Sequence, residues 1–138
     1  MSYDLMVFEA AVAPKSREDF MVWFGEQTEW SEDHSYQDHA VASAPLQAWF
    51  KEMVDFFPAM NGPLASDDVD DPKVTDHCVG KDVIYSAFAW SVAGEAYPKM
   101  RELAIKHSVG FFDVSANEGE ILFPSQTGSP NKPWWKFW

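Results

Sequence analysis

Two histidines and three acids lie close together near residue 34, which raises the question of metal binding or acid–base chemistry. The stretch EWSEDHSYQDH contains Glu32, Asp33, His34, Asp38 and His39, and imidazoles and carboxylates are common metal ligands. However, His34 and His39 are five positions apart, whereas two histidines that hold one ion from a helix are spaced i, i+4. We therefore predict a solvated loop, with a metal site or an acid–base role as the alternatives.

A second group of acids follows further along the chain. The stretch SDDVDDP contains Asp67, Asp68, Asp70 and Asp71. A calcium loop of the EF-hand type has alternating oxygen ligands, glycine at its sixth position and glutamate at its twelfth, and this stretch does not follow that pattern. We predict an exposed anionic loop, which either stays solvated or binds a cationic partner.

A histidine and a cysteine are neighbours in the stretch TDHCVG, at His77 and Cys78. Catalysis by such a pair needs the two side chains within hydrogen-bonding distance, but successive side chains of a strand point to opposite faces. We therefore do not expect these two residues to act together. Cys78 could instead meet His34, His39 or His107 in the folded protein, although a lone cysteine is more often a small buried apolar residue.

The end of the sequence is rich in tryptophan. The stretch PWWKFW contains Trp134, Trp135 and Trp138, and it follows a connector of turn-forming residues at positions 124–132. Burial of several large aromatic rings is strongly favourable, at roughly 25 cal/mol per Å2. We predict that this aromatic C-terminal tail docks onto its own subunit or onto a second copy, which would give a homodimer; the alternative is a foreign partner.

Composition and charge restrict the classes of partner. The chain has 138 residues, of which 46% are hydrophobic, a formal net charge of -12 and only two arginines. Nucleic-acid binding depends on clustered cations, and an acidic membrane surface would repel such a chain, so we expect neither partner. A basic protein fits the charge better. A single cysteine and a start without a basic, apolar leader indicate a cytoplasmic protein.

The spacing of apolar residues predicts an α+β fold. The predicted elements are, in order, a strand at residues 3–9, a helix from Ser16, a helix from Ser43 to Pro58, a hairpin at residues 74–90, a helix at residues 93–108 with Pro98 in its first turn, and a final hairpin. This order predicts a ferredoxin-like (split βαβ) antiparallel sheet with helices on one face, plus an inserted helix. The other face of the sheet would be open to a ligand, a second subunit or the tail. We assign residues 1–123 to this single domain and residues 124–138 to the connector and tail.

Five stretches, taken in order, resemble a family of small uncharacterised bacterial proteins. They are SYDLMVF, TEWSEDHSY, FPAMNGPLA, KDVIYSAFAW and GFFDVS. The resemblance covers residues 2 to about 123 and implies a bacterial origin and one compact domain. Some members of that family carry a label as regulators of curli genes. The resemblance implies no catalytic residues, and the charge of the chain does not favour contact with DNA.

The sequence favours a non-enzymatic protein-binding module, immunity-like or regulatory in character. The residues expected to bind the partner are Asp67, Asp68, Asp70, Asp71, Trp134, Trp135 and Trp138. The alternative is a small-molecule-binding protein or enzyme with a pocket between the sheet and the second helix. Residues that could line this pocket are Asp33, His34, His39, Trp49, Tyr85 and Trp90. We expect no catalytic residue, no metal and no cofactor.

Overall fold

A computed structural model describes residues 2–32, 36–60, 62–68 and 70–123. Within these residues the chain forms one five-stranded antiparallel sheet and three α-helices, which confirms the α+β class. The strands are β1 (Tyr3–Phe8), β2 (Asp76–Val79), β3 (Val83–Phe88), β4 (Gly110–Phe112) and β5 (Ile121–Leu122). The helices are α1 (Arg17–Gln27), α2 (Ala44–Met53) and α3 (Ala93–Lys106), and short 3-10 helices lie at His39–Val41 and Trp90–Val92.

Strand β1 lies at the centre of the sheet, whose order is β2-β3-β1-β4-β5. It pairs with β3 on one side, where Leu5 is opposite Ser86, and with β4 on the other, where Val7 is opposite Phe111. Residues 5–8 are all fully buried. A strand that is apolar on both faces needs cover on both faces, which explains the central position of β1.

The predicted beginnings of α1 and α2 agree with the structure. Ser16 precedes α1, and its hydroxyl accepts a hydrogen bond of 3.2 Å from the backbone N–H of Asp19, which satisfies one of the free donors at a helix start. Ser43 precedes α2, but its side chain makes no capping bond, and Pro45 occupies the first turn. Helix α2 ends at Met53, so the remaining residues before Pro58 belong to the following loop.

The expectation that helices cover only one face of the sheet is wrong. Helices α2 and α3 pack on the face that presents Leu5, Ile84 and Phe111, whereas α1 packs on the opposite face. There Phe20 of α1 lies between two sheet residues, with ring centroids 5.0 Å from Phe8 and 5.1 Å from Phe112. Both faces of β1 are apolar, and α1 supplies the cover that the second face requires. Helix α1 therefore closes the face that was expected to be open.

Two residues lie in different local structure from that expected. Trp90 was predicted to continue β3, but it begins a 3-10 helix and is 53% exposed. Pro98 was expected in the first turn of α3, but it lies in the second turn. Its missing N–H would have bonded to the carbonyl of Gly94. Gly94 and Pro98 are both exposed, so water can donate a hydrogen bond to the Gly94 carbonyl instead.

Candidate functional site

The connection between α2 and β2, residues 54–75, is described except at positions 61 and 69, and we call it the α2–β2 loop. Ala59 bridges both Ala65 and Thr75 in parallel fashion. Backbone hydrogen bonds of 2.8 Å from Thr75 to Pro58 and 2.9 Å from Met60 to Thr75 join the beginning of the loop to its end. Phe57, Ala59 and Thr75 are buried and anchor it to the core. These contacts fix the backbone that carries the exposed side chains.

Three large apolar side chains of the α2–β2 loop point to solvent. Met60 is 51% exposed, and Leu64 and Phe56 are exposed to a similar extent. The ammonium group of Lys99 lies 4.2 Å from the ring centroid of Phe56, within the range of a cation–π contact. Exposed apolar side chains grouped in one structured segment are typical of an interaction surface. Sequence analysis did not identify this group, although the apolar residues among the turn formers of FPAMNGPLA were a signal for it.

The four aspartates of the predicted anionic loop lie in the same segment. Asp67, Asp68 and Asp70 are exposed and Asp71 is half-buried. Two of them shape the backbone: Asp68 accepts a hydrogen bond of 3.2 Å from the N–H of Asp70, and Asp71 accepts one of 2.9 Å from the N–H of Lys73. Within the described residues, no lysine or arginine forms an ion pair with any of the four.

The α2–β2 loop carries a strong local charge and is held at a second point. It contains five aspartates against one lysine, a formal charge of -4, and that lysine, Lys73, is paired with Glu95 at 3.0 Å.

Gly62 has φ of 93°, in the left-handed region. A Cβ there would lie 2.0 Å from the backbone oxygen of Gln37, so only glycine fits this close approach.

His77 forms a buried hydrogen-bonded pair that sequence analysis missed. Its Nδ1 lies 2.7 Å from the hydroxyl of Ser86, and its Nε2 lies 3.1 Å from the carbonyl of Phe57. Because a carbonyl only accepts, Nε2 carries the proton of the neutral ring, and Nδ1 accepts from the Ser86 hydroxyl. The register of β2 and β3 places the two residues opposite each other, whereas sequence analysis predicted a hairpin at residues 74–90 without its register.

The His77–Ser86 pair resembles a nucleophile and its base, but its surroundings favour a structural role. Ser86 is fully buried and His77 is 5% exposed. The rings of Trp49, Phe50 and Phe88 pack around the imidazole. Burial lowers the pKa of His77 to about 4, although the bond to the Phe57 carbonyl opposes this shift. The hydroxyl is therefore closed off from solvent, and the pair joins the α2–β2 loop to the sheet.

Cys78 faces away from His77, as the alternation of strand side chains predicts. It is half-buried beside Tyr85, its partner in the β2–β3 register. Burial, and then the charge of Asp76, raises the pKa of the Cys78 thiol, which is the opposite of the shift that activates a cysteine. The hydroxyl of Tyr85 donates to a carboxylate oxygen of Asp4.

The histidines proposed as partners of Cys78 do not meet it where the structure describes them. His107 lies 2.8 Å from a carboxylate oxygen of Glu52 and so joins α3 to α2. The ring of His39 stacks on Phe50, with centroids 5.3 Å apart. Both contacts lie on the α2 side of the sheet, away from Cys78. His34 and Asp33 lie outside the described residues.

The aromatic residues suggested for a pocket between the sheet and α2 lie in three different surroundings. Trp49 is fully buried and directs its indole N–H toward the carbonyl of Met100, at 3.4 Å. Tyr85 packs against the α1 face of the sheet. Trp90 lies at the surface against Tyr3, with ring centroids 5.0 Å apart. The structure therefore does not bring these three residues into one pocket, because the space between the sheet and α2 is filled by core side chains.

A shallow groove of about 760 Å3 runs along α3 instead. It is lined by Tyr97, Pro98, Arg101, Glu102, Ile105 and Glu120. Arg101 forms two hydrogen bonds of 2.9 Å with Glu120, and Tyr97 donates another of 2.8 Å to the same carboxylate. The guanidinium lowers the pKa of Glu120, while burial and then Glu120 raise the pKa of Tyr97 to about 12. The polar groups of the groove thus satisfy one another and hold α3 to the β4–β5 hairpin.

Other features bear on the remaining expectations. In the described part of the chain, no three histidine, cysteine, aspartate or glutamate side chains are grouped as a metal site would require. No helix among those residues is long and apolar enough to cross a membrane. The three tail tryptophans, Trp134, Trp135 and Trp138, lie outside the described residues.

In comparisons with known proteins, no family model, no curated protein and no solved structure matches the chain. The resemblance to a family of bacterial proteins therefore stays a prediction.

Proposed function

We propose that this domain is a non-enzymatic protein-binding module that uses the α2–β2 loop to bind a basic protein. One observation carries the proposal: exposed Met60, Leu64 and Phe56 share a fixed backbone with four aspartates that have no cationic partner among the described residues. Protein interfaces combine an apolar centre with a polar rim. Apolar contact would supply affinity, and the aspartates would attract and orient a cationic partner.

The anchoring of the α2–β2 loop supports this proposal, since a fixed backbone loses little conformational entropy when a partner binds. The contacts at Ala59, Gly62 and Phe57 hold it at three points. An immunity-like protein that masks a basic toxin, or a regulator that binds a basic protein, would use such a surface. Both are protein-binding functions and make the same prediction for the loop.

Comparative affinity capture tests the proposal. The loop variant carries Asp67→Asn, Asp68→Asn, Asp70→Asn and Asp71→Asn, which removes four charges and keeps the side-chain oxygens that accept backbone N–H groups. The control variant removes four charges from α1 or its flank by Glu18→Gln, Asp19→Asn, Glu26→Gln and Glu29→Gln. We expect at least one protein to be retained by the wild type and the control but lost from the loop variant. If the loop variant retains the same proteins as the wild type, the proposal is wrong.

A small-molecule-binding function is the second candidate, and the groove along α3 favours it. Its volume of about 760 Å3 lies within the usual range for small-molecule sites. The groove is open, and Arg101, Tyr97 and Glu120 already bond to one another, so a ligand would have to compete with those bonds. A metabolite that raises the melting temperature of the wild type but not of Ile105→Asp would support this candidate. The absence of such a ligand in a broad screen would remove it.

For the finer fold, we propose a ferredoxin-like (split βαβ) core with α1 as the addition. Strand β3 lies antiparallel between β1 and β2, which is the arrangement of a split βαβ unit. Helices α2 and α3 share one face of the sheet, and β4 lies on the other side of β1. Strand β5 extends this core at its edge. An experimental structure in which β1 and β2 were not parallel would contradict this assignment.

A further inference from the structure

Helix α1 is apolar on its outer side as well as on the side that packs against the sheet. Phe20, Trp23 and Phe24 face the core, while Met21 and Val22 are exposed, Val22 to 62%. A helix that covers a sheet normally presents polar residues to solvent. A side chain added at Gly25 would meet no other atom within 4 Å, so a bulky group could approach the helix backbone there. We call Met21, Val22 and Gly25 the outer face of α1.

The described chain ends beside this helix. Phe123 is buried on the α1 side of the sheet, with its ring centroid 5.2 Å from that of Phe8 and 6.4 Å from that of Phe20. Lys15 lies above the Phe123 ring, at 4.7 Å. Ten residues reach at most about 33–36 Å when extended, and α1 is about 16 Å long. The residues that follow Phe123 can therefore reach every part of the outer face of α1.

The charges of the two segments are complementary. Residues 17–29 contain four acids, Glu18, Asp19, Glu26 and Glu29, against one arginine, a formal charge of -3. All four acids are exposed; three lie within α1, and Glu29 lies two residues beyond its end. Residues 124–138 contain two lysines, no acid, and four large aromatic residues within the stretch PWWKFW. The sequence that follows Phe123 thus contains cations that can pair with these acids and aromatic rings that can cover Met21 and Val22.

We propose that residues 124–138 dock on the outer face of α1 of the same chain. The indole rings of Trp134, Trp135 and Trp138 would cover Val22 and Met21, and the two lysines would pair with the surrounding acids. The apolar contact would supply most of the affinity, because exposed ion pairs contribute little and are screened by salt. This surface is on the opposite side of the sheet from the α2–β2 loop, so the inference is independent of the proposed function.

Methyl NMR of the full chain tests the proposal. Ring currents from docked indoles should shift the Val22 methyl resonances and give nuclear Overhauser contacts to indole protons. Both effects should disappear in a full-length variant with Trp134→Ser, Trp135→Ser and Trp138→Ser. The methyl resonances of Ile105, exposed on α3 on the other side of the sheet, serve as the internal control and should not change.

The reciprocal experiment follows the tail by 19F NMR of fluorotryptophan. Val22→Asp should move the resonances of Trp134, Trp135 and Trp138 toward those of exposed tryptophan, and Ile105→Asp should leave them unchanged. Both substitutions alter exposed side chains, so the fold should survive. Val22 methyls that are insensitive to the tail substitutions would overturn the proposal. Effects that appear only as protein concentration rises would mean that a second copy is the occupant, and would overturn docking within one chain.

Discussion

Lowering the pH from about 7 to about 5 should destabilise the fold, because His77 must be neutral to remain buried. Burial lowers its pKa to about 4 in the folded protein, against an ordinary value near 6.5 in the unfolded chain. Between these two values the unfolded chain binds a proton that the folded chain does not, so the free energy of unfolding falls as pH falls. At 1.36 kcal/mol per unit, the loss is about 2 kcal/mol at pH 5 and approaches about 3 kcal/mol near pH 4.

Urea denaturation at the two pH values measures this loss, and His77→Gln isolates the contribution of His77. The variant should be less stable at pH 7, because the bond to Ser86 is disturbed, but its further loss at pH 5 should be about 2 kcal/mol smaller than that of the wild type. The carboxylates titrate in both proteins, so their contributions to the pH dependence of the unfolding free energy cancel in this comparison. An imidazole of His77 that titrates near pH 6.5 in the folded protein would refute the reasoning.

Two further predictions concern packing, and both are measured by thermal or urea unfolding. A methyl group at Gly110 would lie 2.0 Å from a ring carbon of buried Phe8, so Gly110→Ala should destabilise by about 1–3 kcal/mol. Gly94→Ala, where no atom lies within 4 Å, should stabilise by up to about 1 kcal/mol; equal effects at the two glycines would contradict the β4 register. Phe20→Ala should cost about 3–5 kcal/mol because α1 covers the second sheet face. Ile105→Ala, at an exposed position of α3, should stay within about 0.5 kcal/mol, and a small loss at Phe20 would mean that α1 does not pack there.

The helix starts and the central strand were predictable because their signals are local. A hydroxyl at Ser16 and a proline at position 45 mark helix beginnings whatever the rest of the fold does. An unbroken apolar run at residues 5–8 indicates a strand covered on both faces. The alternation of side chains along a strand likewise puts Ile84 and Tyr85 on opposite faces. In each case the feature depends on residues that are close in sequence, or on one face of a single helix or strand.

The sheet face that α1 covers could not be predicted. Apolar residues occur all around α1, so their pattern does not show which side of the helix packs against the sheet. The separation of Trp49 and Tyr85 could not be predicted for a related reason: spacing shows that each faces apolar surroundings, but not that they face different sides of the sheet. Trp90 leaves β3 because the chain turns into the 3-10 helix that precedes α3. The exposure of Met60 and Leu64 depends on long-range backbone contacts of the α2–β2 loop, such as those of Ala59.

Site-specific photo-crosslinking in cells tests the central claim most directly. A photoreactive residue placed at Met60 lies within the proposed binding surface, and the same residue placed at Ile105 on α3 provides a control of similar exposure. We predict that the probe at Met60 captures a basic protein, that the probe at Ile105 does not, and that the four loop substitutions Asp→Asn abolish the capture. Capture of the same proteins from both positions, or of none from Met60, would contradict a binding function for the α2–β2 loop.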